Sequence, residues 1–284
     1  DWVDLVTQNG IQQNHTFSVS GGSESTQYSF SASKLEEEGM VRHTAFDRLS
    51  LNASIESQVS DRVKVGFTSY VSLSERNYGS PESARAAMRA RPTGTVFFND
   101  IVFPNKLDTN MGPVDGYAFF NGVNNSSVMN PLVELNPENA MEGEKGNSML
   151  VSAFVDFEIT EGLNFRTQYS GYTQNNRTGS YKGRYTKEMK GSKNAKGQTG
   201  NYKTQNHTID NTLTYNGVFG DHAINATALL SVFEQYDEYM QIVVQDLPYR
   251  SLWHNLGTGA TPIQYNTDLV ESGILSYMGR VNYT

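Results

Sequence analysis

Nine segments of the chain alternate apolar with small polar residues, and a period of two predicts strands with one apolar and one polar face. In 14–20, Phe17 and Val19 oppose Asn14, Thr16, Ser18 and Ser20. In 27–33, Tyr28, Phe30 and Ala32 oppose Gln27, Ser29, Ser31 and Ser33. Leu49, Leu51, Ala53 and Ile55 mark 48–55, and Val63, Val65, Phe67 and Val71 mark 63–73. Met149, Val151, Ala153, Val155, Phe157 and Ile159 mark 149–159; Leu163, Phe165 and Tyr169 mark 163–171. Ile209, Leu213 and Tyr215 lie in 208–215, Ile224 to Val232 in 223–233, and Leu275, Tyr277, Val281 and Tyr283 in 274–284. Several of these run about 9–11 residues, the length a tilted strand needs to cross a bilayer. Ahead of them, 2–6 reads as a short helix or loop.

The connections alternate in length. Tight turns are expected at 21–25, 57–61, 160–162 and 216–221, and long connections at 34–47, 74–147, 173–206 and 234–272. That layout predicts an all-β, antiparallel up-and-down meander, part of a transmembrane β-barrel, with turns toward the periplasm and loops outside. About nine strands of a larger barrel are expected. The connection 74–147 is too long to be passive. It carries a helix signal near 81–91, with Ser80 as N-cap, Pro81 at the first helical position and Pro92 as a stop. The stretch 180–202 is basic, Gly-rich and expected to be exposed.

A soluble β-sandwich, as in a carbohydrate-binding or adhesin module, also alternates. Its exterior usually carries Lys and Glu, whereas the polar face here is mostly Ser, Thr and Asn. It has no reason to place its long loops at one end. Aromatic residues also cluster near strand ends (Tyr28, Tyr70, Phe157, Phe165, Tyr215, Phe233 and Tyr283), as an interfacial girdle requires. A sandwich would bury Phe17, Tyr28, Leu51, Val65 and Val155 in one core; a barrel would leave them as an exposed apolar band.

Composition narrows the classes. Of 284 residues, 37% are hydrophobic and only 18% charged, so the chain is polar mainly through neutral groups. A net charge of −8 argues against nucleic acid, which needs clustered Lys and Arg. With no Cys, disulfides and thiolate metal sites are excluded. The longest mostly apolar run, near 226–233, is far short of a membrane helix. Asp1-Trp2-Val3-Asp4 has neither a basic n-region nor an apolar h-region, so a mature chain or a fragment is expected.

Signals for chemistry are sparse. The five His residues show no ligand spacing, and Glu36-Glu37-Glu38 reads as a solvated loop tip, so no metal site is expected. A glycosidase would need two converging carboxylates, and Asp156 and Glu158 share one polar face. Charge pairing inside a barrel accounts for them as well. Gly257-Thr258-Gly259-Ala260 lacks a following helix and is not a phosphate loop. No catalytic residue and no cofactor is expected. Pyranose rings stack on aromatic faces, which makes Tyr117, Phe119, Phe120, Tyr249, Trp253 and His254 loop candidates for substrate binding.

Specific strings add a resemblance. Asp1-Trp2-Val3-Asp4, Gln13-Asn14-His15-Thr16-Phe17-Ser18-Val19-Ser20-Gly21-Gly22-Ser23-Glu24, Glu38-Gly39-Met40-Val41 and Phe46-Asp47-Arg48-Leu49 carry its first part. Glu158-Ile159-Thr160-Glu161-Gly162-Leu163-Asn164-Phe165 and Ser276-Tyr277-Met278-Gly279-Arg280 carry its second. Together they resemble the early barrel of SusC/RagA-type TonB-dependent outer-membrane transporters of Bacteroidetes. The resemblance implies a twenty-two-stranded barrel closed by an N-terminal plug, in the outer membrane of a Gram-negative cell. It implies import of oligosaccharides or peptides with a SusD-like surface lipoprotein, driven by the TonB-ExbB-ExbD complex through the plug. Against that pattern, 1–284 is expected to be a partial barrel domain, without the plug and without the closing strands.

Overall fold

The computed structural model describes residues 1–90, 92, 130–189, 194–248 and 250–284. Nine strands form one antiparallel sheet in strict sequence order. They are β1 (Gln12–Gly22), β2 (Thr26–Glu38), β3 (Ala45–Ser60), β4 (Val63–Asn77), β5 (Ala140–Thr160), β6 (Leu163–Lys182), β7 (Ala195–Phe219), β8 (His222–Leu247) and β9 (Thr261–Tyr283). Among the described residues three α-helices accompany them: α1 (Trp2–Val6), α2 (Pro81–Arg89) and α3 (Pro131–Leu135). The sheet is open, with β1 and β9 at its margins. Among the described residues no helix is long and apolar enough to cross a membrane.

The four tight turns fall at one end, where the strand pairs close through 23–25, 61–62, 161–162 and 220–221. Gly162 and Gly220 take positive φ there, 77° and 62°. At Gly162 a side chain would also strike the carbonyl of Asn216, which closes against it through the Asn216 N–H to Gly162 O bond of 2.8 Å. Glycine is therefore required on both counts.

From this end every strand carries its apolar residues on the same face. Register pairs Tyr169 with Ile209, Ile209 with Val232, and Val232 with Leu275, so the apolar positions meet across strands. A sheet normally buries such a face under a second layer. Among the described residues nothing packs on it: Val155 is 43% exposed, Ile209 45% and Leu230 46%, all on interior strands. Phe17 and Tyr28 are likewise exposed, and Leu51 and Val65 are half-buried. The single closed core of a sandwich is not formed. The band spans about 9–11 residues per strand, the span of a tilted transmembrane strand.

Beyond the band the strands go on. β7 and β8 have 25 and 26 residues, so β8 runs roughly 85 Å at about 3.3 Å per residue. Most of what alternation left as the long connections 34–47, 173–206 and 234–272 is strand. Only 39–44, 183–194 and 248–260 separate β2 from β3, β6 from β7 and β8 from β9. The extensions were hidden because their sequence lacks the apolar–polar period. Thr173 to Lys182 and Glu234 to Glu238 are polar on both faces, so pairing continues without hydrophobic alternation.

At the same end, Trp2, Val6, Ala87 and Leu135 form a small core that joins α1, α2 and α3. The helix expected at 81–91 is α2, and Pro81 opens it. Ser80 stands at the N-cap position but makes no capping bond; its hydroxyl donates to Glu134 instead, 3.2 Å away.

Candidate functional site

The polar face above the apolar band holds the densest chemistry. A cavity of 440 Å³ opens at the outer ends of β5, β6 and β7, well beyond the band, lined by Glu142, Glu144, Thr178, Ser180, Lys182, Lys196 and Gln198, with Tyr78 and Glu188. All the strand residues in this group except Gly143 and Gly179, which contribute backbone, have the parity of the polar face. Glu142 faces Ser180 across the β5–β6 pair, and Lys182 faces Lys196 across β6–β7. The Tyr78 hydroxyl donates to Glu144 Oε2 at 2.9 Å, and Lys196 Nζ lies 2.7 Å from Glu188 Oε1.

A buried polar knot supports one side of this cavity. Glu134 of α3 is only 2% exposed, yet carries a carboxylate. Its Oε1 accepts from the Lys187 backbone N–H at 2.5 Å, and its Oε2 from Ser80. Burial pushes its pKa above the ordinary value, against the lowering effect of the Lys187 N–H, the Lys182 charge and the Ser80 hydroxyl. Beside it Lys187 Nζ pairs with Glu82 at 2.6 Å, Asn139 Nδ2 donates to Val133 O at 2.9 Å, and the Gly183 N–H donates to Asn139 O at 2.6 Å. The knot thus ties the β4–β5 connection to the β6–β7 connection.

Farther along the same face, Asp237 accepts from Thr204 Oγ1 and Gln235 Nε2, each at 2.6 Å, and from the Tyr202 hydroxyl at 3.3 Å. The Thr204 bond first, then that from Gln235, hold its carboxyl below the ordinary range. The Tyr172 hydroxyl donates to Gln174 at 2.8 Å. Tyrosines, amides and a carboxylate therefore line a wet surface outside the apolar band. Sequence reasoning missed these residues because they sit in segments read as loop; the detectable signal was tyrosine spaced among amides in 172–206 and 235–241.

The sequence candidates separate. Tyr117, Phe119, Phe120 and Tyr249 lie outside the described residues. Trp253 is 2% exposed and packs on Gly179, at a spot no side chain at 179 would leave free. Gly179 has the parity of Tyr169, so Trp253 lies on the face opposite the cavity. Arg177 stands 4.9 Å from its ring centroid, and the His254 ring lies 4.4 Å away, tilted by 31°. Nearby, Tyr181, Ala195, Val244, Leu247 and Leu256 pack together on that face, so the 248–260 connection folds back on the wall. The Trp253 ring is used in this packing; His254 keeps an exposed side.

At band depth, Arg166 faces Asp156 across β5–β6 but lays its guanidinium over the Phe154 ring at 3.8 Å and donates to Gln168 at 3.1 Å. Lys64 pairs with Glu56 at 2.5 Å. Among the described residues no group of His, Asp and Glu is arranged to hold a metal ion.

No family model matches the chain. Two curated relatives, both from Formosa agariphila, align with all of it. TonB-dependent receptor P3 is 25% identical over 292 residues, and TonB-dependent receptor P26 is 23% identical over 296. The chain spans 28% and 27% of their lengths. Among solved structures, the RagAB peptide transporter superposes on the whole chain with a TM-score of 0.72 at 19% identity, over 31% of that protein. These relatives are receptors and transporters, not enzymes. Over its full length the chain is thus similar to a SusC/RagA-type TonB-dependent barrel, and its fold is the wall of one.

Proposed function

We propose that this chain forms part of the barrel wall of an outer-membrane TonB-dependent importer, and that its cargo is a hydrophilic oligomer, an oligosaccharide or a peptide. The carrying observation is the apolar band that no second layer covers among the described residues, backed by a polar opposite face. In water such a face would be left wet at a large free-energy cost; in a bilayer it is solvated by lipid. The polar face lines the passage, and the outer extensions form a vestibule above it. The chain spans under a third of its relatives' length. The remaining strands, a plug that engages TonB-ExbB-ExbD and a SusD-like lipoprotein over the vestibule complete the machine in this reading. Tyr117, Phe119, Phe120, Tyr249 and His254 stay as loop contacts for cargo. Trp253 contributes through the loop it anchors.

The test uses neighbouring residues of opposite face. This chain has no cysteine, so Leu230→Cys and Ser231→Cys each introduce one thiol into it, with any cysteine elsewhere in the gene product replaced by serine. In the gene product at its full encoded length, in intact cells, the thiol at 230 should react with a lipid-soluble maleimide and resist a water-soluble one. The thiol at 231 should not partition that way. Deleting the gene should abolish growth on the imported oligomer in an energised cell. Equal labelling of both sites by the water-soluble reagent would sink the membrane reading.

A further inference from the structure

We propose that the cavity between β5, β6 and β7 is a subsite for a zwitterionic ligand, a short peptide with free termini, in which Glu142 receives the ammonium group and Lys182 the carboxylate. This rests on the importer reading and selects between its two cargo classes.

The charges of the cavity call for both signs. Lys182 and Lys196 stand directly opposite each other, an arrangement that is destabilising unless an anion relieves it. Glu188 neutralises Lys196 at 2.7 Å. Lys182 has no ion pair among the described residues, although its charge acts on the buried Glu134. On β5, Glu142 and Glu144 are two residues apart on one face, which places like charges side by side. The Tyr78 phenol serves Glu144. Glu142 has no ion pair among the described residues.

Glu142 and Lys182 are diagonal neighbours across the β5–β6 pair, about 7–8 Å apart at the backbone, and do not close on each other. Between them Ser180 and Gln198 offer neutral donors and acceptors suited to peptide amides. A neutral sugar would leave both Glu142 and Lys182 without an opposite charge, and the cavity offers it little aromatic face to stack on. The one aromatic in the cavity, Tyr78, has the Arg76 guanidinium over its ring at 5.6 Å. An anionic sugar would answer Lys182 and leave Glu142 facing a like charge. A ligand with an ammonium at one end and a carboxylate at the other answers both.

The experiment measures binding by the purified, detergent-solubilised gene product at its full encoded length. Tri-alanine, tri-alanine amide, N-acetyl-tri-alanine, its doubly capped analogue and maltotriose serve as probes. Tri-alanine should bind about a hundredfold more tightly than the doubly capped peptide, about tenfold for each of the two charge-assisted contacts. Glu142→Gln should weaken tri-alanine and its amide about tenfold and leave N-acetyl-tri-alanine unchanged; Lys182→Met should do the converse. Maltotriose binding as tightly as tri-alanine, variants without effect, or variants that weaken every probe alike would each overturn the assignment. Cysteine labelling at 230 and 231 keeps the two readings apart. If it succeeds while maltotriose is preferred, only the subsite falls; if it fails, the importer reading falls first.

Discussion

The Tyr169 hydroxyl lies 2.7 Å from Nδ1 of His207, with the two rings stacked at 6.0 Å and 21°. Both side chains are on the apolar face, and the phenol end of Tyr169 covers Gly171, which has no side chain to displace it. The pair marks the outer edge of the band. Below it come Ile209 and Leu213; above it come Thr173, Gln205 and Lys203. An amphipathic ring with a satisfied polar tip is what a membrane interface favours. At the turn end His222 and Tyr283 form a matching pair at 2.5 Å.

Tyr169→Phe should destabilise the folded protein by about 1 kcal/mol, the net worth of one hydrogen bond. Gly171→Val should cost more, because its side chain displaces the Tyr169 ring. Urea unfolding in lipid vesicles measures both. A Phe variant as stable as the parent would remove the interface role of the pair.

Charge on the band should be costly and charge beside it cheap. Leu230→Arg should destabilise the membrane-inserted protein by about 2–4 kcal/mol, whereas Ser231→Arg, on the polar face, should cost far less. Folding yields into vesicles of defined thickness report the difference. Similar losses for the two would contradict the facing read from register.

Trp253→Ala should free the 248–260 connection from the wall, with a loss of about 3–5 kcal/mol of local stability, as for other buried aromatic truncations. Limited proteolysis should then cut this connection in the Ala variant and spare it in the parent.

The Glu134 knot should loosen as pH rises. Burial holds its folded pKa above the unfolded value of 4.5. A raised carboxylate contributes stability that is fully present below the unfolded pKa and is lost as pH climbs through the folded one. Hydrogen exchange at the Lys187 amide should therefore show an opening free energy that falls with pH in the parent. In Glu134→Gln it should stay flat over the same range. A parent profile as flat as the variant's would show that the carboxylate is not the titrating group.

The nine strands and the sidedness of the turns were legible in the sequence because lipid and water impose opposite preferences on alternate residues. Phe17, Tyr28, Val155 and Leu230 report that contrast wherever a strand crosses the bilayer. It vanishes outside the bilayer, where both faces of β6 to β8 meet water or protein, so Thr173 to Lys182 carried no period although they are strand. The site was legible only as composition. Aromatic candidates such as Trp253 were visible, but which face a loop residue reaches depends on how its connection folds back.

Local alternation thus determined by itself the fold class, the transmembrane band and the end at which the turns lie. These depend on each residue's own preference for lipid or water. Tertiary structure alone decided the height of the wall, the burial of Glu134 beneath Ser80 and Lys187, the turning of Trp253 away from the cavity, and the placing of Glu142 and Lys182 on one face of neighbouring strands. Each of those joins residues far apart in the chain, and only backbone pairing and packing bring them together.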